Sequence, residues 1–115
     1  MPRSVEQAAK NEATFRSANE RLQEKADELE LGDRQTPFLC ECEEERCTEV
    51  LLLGRSDYED VRAHPRRFIV APGHQGGEEE LIRDEAGFAV IEKHGKEGEL
   101  VEQQDPRMAR EPHSS

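Results

Sequence analysis

Along the N-terminal stretch the bulky apolar residues Phe15, Leu22 and Leu29 recur every seven positions, with Ala8, Ala18 and Ala26 between them. That spacing returns to one face of a helix. Alanine, glutamate, lysine, arginine and glutamine dominate the positions between, with no proline after Pro2 and no glycine before Gly32. One long amphipathic helix is therefore predicted over residues 1–33. Ser4 suits its N-cap and Gly32 its C-terminal cap. The stripe predicts docking on the protein's own sheet or on a partner. The same residues trace a thin heptad seam through Ala8, Asn11, Phe15, Ala18, Leu22, Lys25 and Leu29. A self-paired coiled coil is thus the rival reading, weakened by the polar Asn11 and Lys25.

After Pro37 the period changes. Phe38-Leu39-Cys40-Glu41-Cys42 reads as a strand, Glu43-Glu44-Glu45-Arg46 as a polar loop, and Thr48 to Gly54 as a second strand, together predicting a hairpin. Ser56 and Glu59 match a capping box, predicting a short helix that ends near His64-Pro65 with Tyr58 and Val61 facing inward. Arg67-Phe68-Ile69-Val70-Ala71 reads as a third strand stopped by Pro72-Gly73, and Gln75-Gly76-Gly77 as a flexible turn. Residues 79–84 fit either a strand or one helical turn. Phe88 to Glu92 reads as a strand, so a second hairpin is favoured. The expected fold class is α+β: the long N-terminal helix plus a small antiparallel sheet with one short helix. That sheet combines the first hairpin, the third strand and the last strand in a small domain over residues 37–93. Beyond His94 only Leu100, Val101 and Met108 are sizeable apolar groups, too few to offset the entropy of ordering, so residues 94–115 are expected to be a disordered acidic tail.

Composition narrows the functions. Of 115 residues 37% are charged and 33% hydrophobic, with a formal net charge of −11. That suits one small core with solvated flanks. An acidic surface repels phosphate backbones, so nucleic acid is not an expected partner. The basic cluster Arg62, His64, Arg66 and Arg67 is short, lies beside acidic neighbours and reads as a solvated face. The strongest apolar run, Val50 to Leu53, falls far short of a membrane span, and the first residues carry no apolar signal segment. A cytoplasmic location is expected. There the three cysteines should stay reduced.

Cys40 and Cys42 sit two apart on a strand and so face one side, while Cys47 returns after the four-residue loop. Three thiolates bind zinc well, and a fourth ligand completes a tetrahedron. His64 and His74 are the candidates, with a carboxylate, a water or a partner's residue as the other options. His94 and His113 lie in or near the tail and read as surface residues. A structural zinc contributes on the order of 10 kcal/mol or more to a small fold. The plain alternative is three reduced cysteines without a metal; copper or an iron–sulfur cluster is a further option. Glu41, Glu43, Glu44 and Glu45 give the site an anionic setting that suits a divalent cation and opposes a low-pKa nucleophilic thiol. The segment from Pro72 to Gly77 superficially resembles a phosphate loop but lacks its Lys and Ser/Thr, and Glu78 to Glu80 would repel phosphate.

The segments Asn11-Glu12-Ala13-Thr14-Phe15-Arg16, Asn19-Glu20-Arg21, Phe38 to Cys42, Cys47-Thr48-Glu49, Tyr58 to Arg62, Arg66 to His74 and Val90 to Lys93 resemble an uncharacterised family of small actinobacterial proteins. Its pattern is F-x-C-E-C-x4-C followed by P-G-H. The likeness covers roughly residues 11 to 93 and implies Cys40, Cys42, Cys47 and His74 as the metal ligands. It implies no activity. The stretch Gln75 to Glu78 departs from the family, which is more acidic and carries proline there. The expectation for the chain is a non-enzymatic zinc-binding module that serves protein–protein interaction or regulation. A thiol/zinc redox sensor is the alternative, and a small zinc-dependent enzyme ranks behind both.

Overall fold

A computed structural model describes residues 4–30, 35–44, 46–75, 79–85, 87–105 and 107. Helix α1 spans Val5–Glu28. The Ser4 side chain caps it by accepting the Gln7 N–H at 3.0 Å, as its residue type predicts. The helix ends at Leu29, before Gly32, which lies outside the described residues.

Strands β1 (Thr36–Leu39) and β2 (Val50–Leu53) form the expected hairpin, with Phe38 opposite Leu51. Strand β3 (Arg67–Val70) pairs with β5 (Ala89–Lys93), and β5 with β4 (Glu79–Asp84), giving the order β3-β5-β4. Residues 79–84 are therefore strand, and the second hairpin is present. The five strands do not merge into one sheet, however. A two-stranded and a three-stranded sheet meet where the Glu41 N–H donates to the Ile69 carbonyl at 2.7 Å. Phe68, Ile69 and Val70 are consecutive and all buried, which marks a strand covered on both faces.

Helix α2 covers Arg55–Arg62 and buries Tyr58 and Val61 as expected. The predicted capping box does not form. The helix starts at Arg55 with Gly54 as N-cap, so Ser56 lies inside the first turn. Tyr58 stacks on Phe38 at 4.4 Å between ring centroids, joining α2 to the first hairpin.

Two further expectations are corrected. The face that α1 turns to the protein is polar: Asn11, Glu12, Arg16, Asn19, Glu20 and Gln23 are buried beside Ala8, Ala9 and Ala26. Leu22 and Leu29 lie outside, 36% and 58% exposed, and Phe15 is half-buried. What α1 meets is backbone and ionised side chains, so hydrogen bonding chose the inner face. Residues 95–103, assigned to the tail by composition, form helix α3 (Gly95–Gln103). It buries Val101 and is tied down by charge: Arg66 Nε to Glu102 at 2.8 Å, Lys93 Nζ to Glu97 at 3.2 Å, and Arg62 to the buried Asp105 just beyond. Gly98 allows the approach, since a Cβ there would meet the Lys93 carbonyl oxygen at 2.9 Å. The expected tail from residue 108 on, with His113, lies outside the described residues.

Candidate metal centre

Cys40 follows β1, and its N–H donates to the Glu49 carbonyl at 3.2 Å, carrying the ladder one residue past the strand. Extended backbone turns the Cys42 sulfur to the same side. A tight turn brings back Cys47, whose N–H donates to the Glu44 carbonyl at 3.0 Å; Glu45 in that loop lies outside the described residues. His74 arrives from the other sheet. Ala71-Pro72-Gly73-His74 closes with the His74 N–H donating to the Ala71 carbonyl at 2.9 Å, and Gly73 has φ +88°. Proline second and a positive-φ glycine third are the residues a type II turn requires. The dipeptide that stops β3 thus also swings the imidazole over the hairpin. The glycine pair after Gln75 lies outside the described residues.

The result is a four-cornered cluster. His74 Nδ1 is 3.6 Å from Cys40 Sγ and 3.7 Å from Cys47 Sγ. The three sulfurs and the ring nitrogen all lie within 4.8 Å of one another. Cys40 and Cys42 are buried, Cys47 is half-buried and His74 faces solvent. The Ala71 N–H donates to Cys40 Sγ at 3.2 Å. Such a donor to sulfur favours a charged thiolate ligand.

The three thiols differ. A hydrogen bond from the Cys40 thiol holds Cys42 down to about 5, against the opposite pull of burial. The same bond, with burial second, pushes Cys40 far up, and burial pushes Cys47 up. A cation bound here would displace the thiol protons. The arrangement is compatible with a metal site.

The other two described histidines stand apart. His64 is exposed in the turn after α2, outside the cluster. His94 precedes α3, with Nε2 3.1 Å from Glu80 and 3.8 Å from Glu92 on the solvent side.

Glu41, expected in the anionic setting of the site, is not part of it. It is fully buried and points away from the thiols. Its carboxyl accepts from Asn19 Nδ2 at 2.8 Å, from the Tyr58 hydroxyl at 2.9 Å and from the Ile69 N–H at 3.1 Å. Burial pushes its pKa up, opposed by Arg16, Asn19, the Ile69 N–H and Arg62. Strand alternation held the signal: a residue between two ligands on a strand must face the other way.

No protein-family model, curated protein or solved structure matches this chain. Among the described residues, no helix is long and apolar enough to cross a membrane.

Proposed function

We propose that the chain is a non-enzymatic zinc-binding module in which Cys40, Cys42, Cys47 and His74 hold one structural Zn²⁺. One observation carries the reading: the sulfur–nitrogen separations of 3.6 and 3.7 Å. A tetrahedral ion with Zn–S about 2.3 Å and Zn–N about 2.0–2.1 Å requires roughly 3.5–3.6 Å along such an edge. Four protein ligands leave no open position, which is the mark of a structural ion and speaks against a zinc-dependent enzyme. The ion ties the first hairpin to the turn after β3, two parts otherwise joined by few backbone bonds.

The module's role in this reading is to engage another protein, and its reduced thiols belong in the cytoplasm. The outward line of α1, with Leu22 and Leu29 exposed, supports such a contact. The test is Cys47→Ser: it should abolish stoichiometric zinc and lower the melting temperature sharply. A variant that keeps both its metal and its stability overturns the proposal.

A second reading, a thiol/zinc redox sensor, draws on the exposure of His74 and the half-burial of Cys47, which open one side of the site to oxidants. Zinc release at low peroxide doses would favour it; retention until the protein unfolds would exclude it.

A further inference from the structure

The segment from Leu39 to Glu43 has two working faces. Cys40 and Cys42 turn toward the metal cluster. Leu39, Glu41 and Glu43, between and beside them, are all held by α1. The Asn19 amide reads Leu39 as a second strand would: the Leu39 N–H donates to Asn19 Oδ1 at 2.7 Å, and Asn19 Nδ2 donates to the Leu39 carbonyl at 2.8 Å. Asn19 Nδ2 also donates to Glu41 Oε2 at 2.8 Å. Eight residues earlier in the helix, Asn11 Nδ2 donates to the Glu43 carbonyl at 2.8 Å.

The spacings agree. Eight helical residues rise about 12 Å, and four extended residues span about 13 Å. The helix therefore lies along the ribbon and contacts it beside each of its two thiol ligands. Glu41 extends the grip, since its carboxyl and N–H also fix α2 through Tyr58 and β3 through Ile69. A ribbon curled away from the geometry that points Cys40 and Cys42 at one ion cannot keep these bonds.

We propose that Asn19 and Glu41 are positioning residues of the metal centre, so that docking of α1 and occupancy of the site stabilise each other. This rests on the four-ligand reading above. Neither residue touches the ion. Each acts by fixing the ribbon that carries two of its ligands, as outer partners orient ligands in metal sites generally. The coupling is reciprocal: the metal holds the helix as much as the helix holds the metal.

The experiment measures zinc affinity by chelator competition, and the urea midpoint with and without zinc, for the wild-type chain, Asn19→Ala, Glu41→Gln and Asn11→Ala. Leu22→Gln, on the outer face, is the control. Asn19→Ala and Glu41→Gln are expected to weaken zinc binding about 10–100-fold, and to shrink the gain in midpoint that zinc confers. Leu22→Gln changes neither. Asn11→Ala removes the one hydrogen bond at the ribbon's end, together with the Gln7 contact inside α1, and keeps the test decisive if the deeper variants fail to fold; a severalfold loss of affinity is expected. In the wild type, chelation should also raise amide exchange along α1. If the variants lose the same stability with and without zinc and bind it as tightly as the wild type, the coupling is overturned while the metal site stands. A wild-type chain that binds no zinc overturns the site reading and this inference with it.

Discussion

The guanidinium of Arg16 lies 3.7 Å from the centre of the Phe68 ring. From there it donates to the Pro65 carbonyl at 2.9 Å and to the Arg67 carbonyl, and it stands 3.6 Å from the Asp105 carboxylate. Burial lowers its pKa to about 10, so it stays charged near neutrality. One arginine of α1 thus joins β3, the turn before it and the segment after α3. Arg16→Ala should cost about 1–3 kcal/mol, because it leaves the Pro65 and Arg67 carbonyls without their donor, while Asp105 keeps Arg62. Arg16→Lys should recover only part of this, since an ammonium lacks the planar fork. Urea unfolding curves measure both. A loss below about 1 kcal/mol for the alanine variant would contradict this account of how α1 docks.

Arg16 also shows where the sequence was silent. Hydrophobic period located α1, the hairpins and β3, and it placed Tyr58 and Val61 inward, because apolar burial is what such patterns record. It did not show which face of α1 packs on the protein. Asn11, Glu12, Arg16, Asn19 and Glu20 are polar, and their partners outside α1 lie 20 or more residues away, where no local pattern points. Helix α3 was missed for the same reason: Glu102 and Asp105 read as solvated charges until Arg66 and Arg62 stand beside them. The four cluster residues were legible because each sits at a feature of local geometry. Two lie on strand alternation, one follows a tight loop, and one follows Pro-Gly. The resemblance, more than the spacing, singled out His74.

The two faces of α1 should respond in opposite ways to substitution. Leu22→Gln keeps a good helix former on the exposed side, so stability should change by no more than about 0.5 kcal/mol. Ala9 is fully buried in the core. Ala9→Leu should cost about 1–3 kcal/mol through overpacking. Thermal melts of the two variants test this. Sedimentation of Leu22→Gln tests the heptad reading, and its mass should equal that of the wild type. Ala8 and Asn11 of the seam are already buried against the protein's own fold, so the seam is not free to pair along its length.

Glu12 gives the pH dependence a sign. Lys93 Nζ sits among the carboxylates of Glu12, Glu79 and Glu97. Burial, the largest influence, raises Glu12 from 4.5 to about 9 against the pull of Lys93. A proton on Glu12 is reasonable where two other carboxylates already neutralise the ammonium. The native state then holds a proton that the unfolded chain releases near pH 4.5. Glu12's share of stability is therefore complete below that pH and is lost as pH rises toward 9. Glu12→Gln, which cannot ionise, should fall less steeply from pH 5 to 9. Urea midpoints across that range check it. A wild-type slope no steeper than the variant's would refute the assignment.

The most direct measurement is the metal content of the full chain, purified without a histidine tag and analysed for all transition metals beside a thiol titration. The account predicts one zinc per chain, with three thiols masked until a chelator is added. Protein that carries no metal, reacts freely at all three cysteines and still melts cooperatively would contradict it.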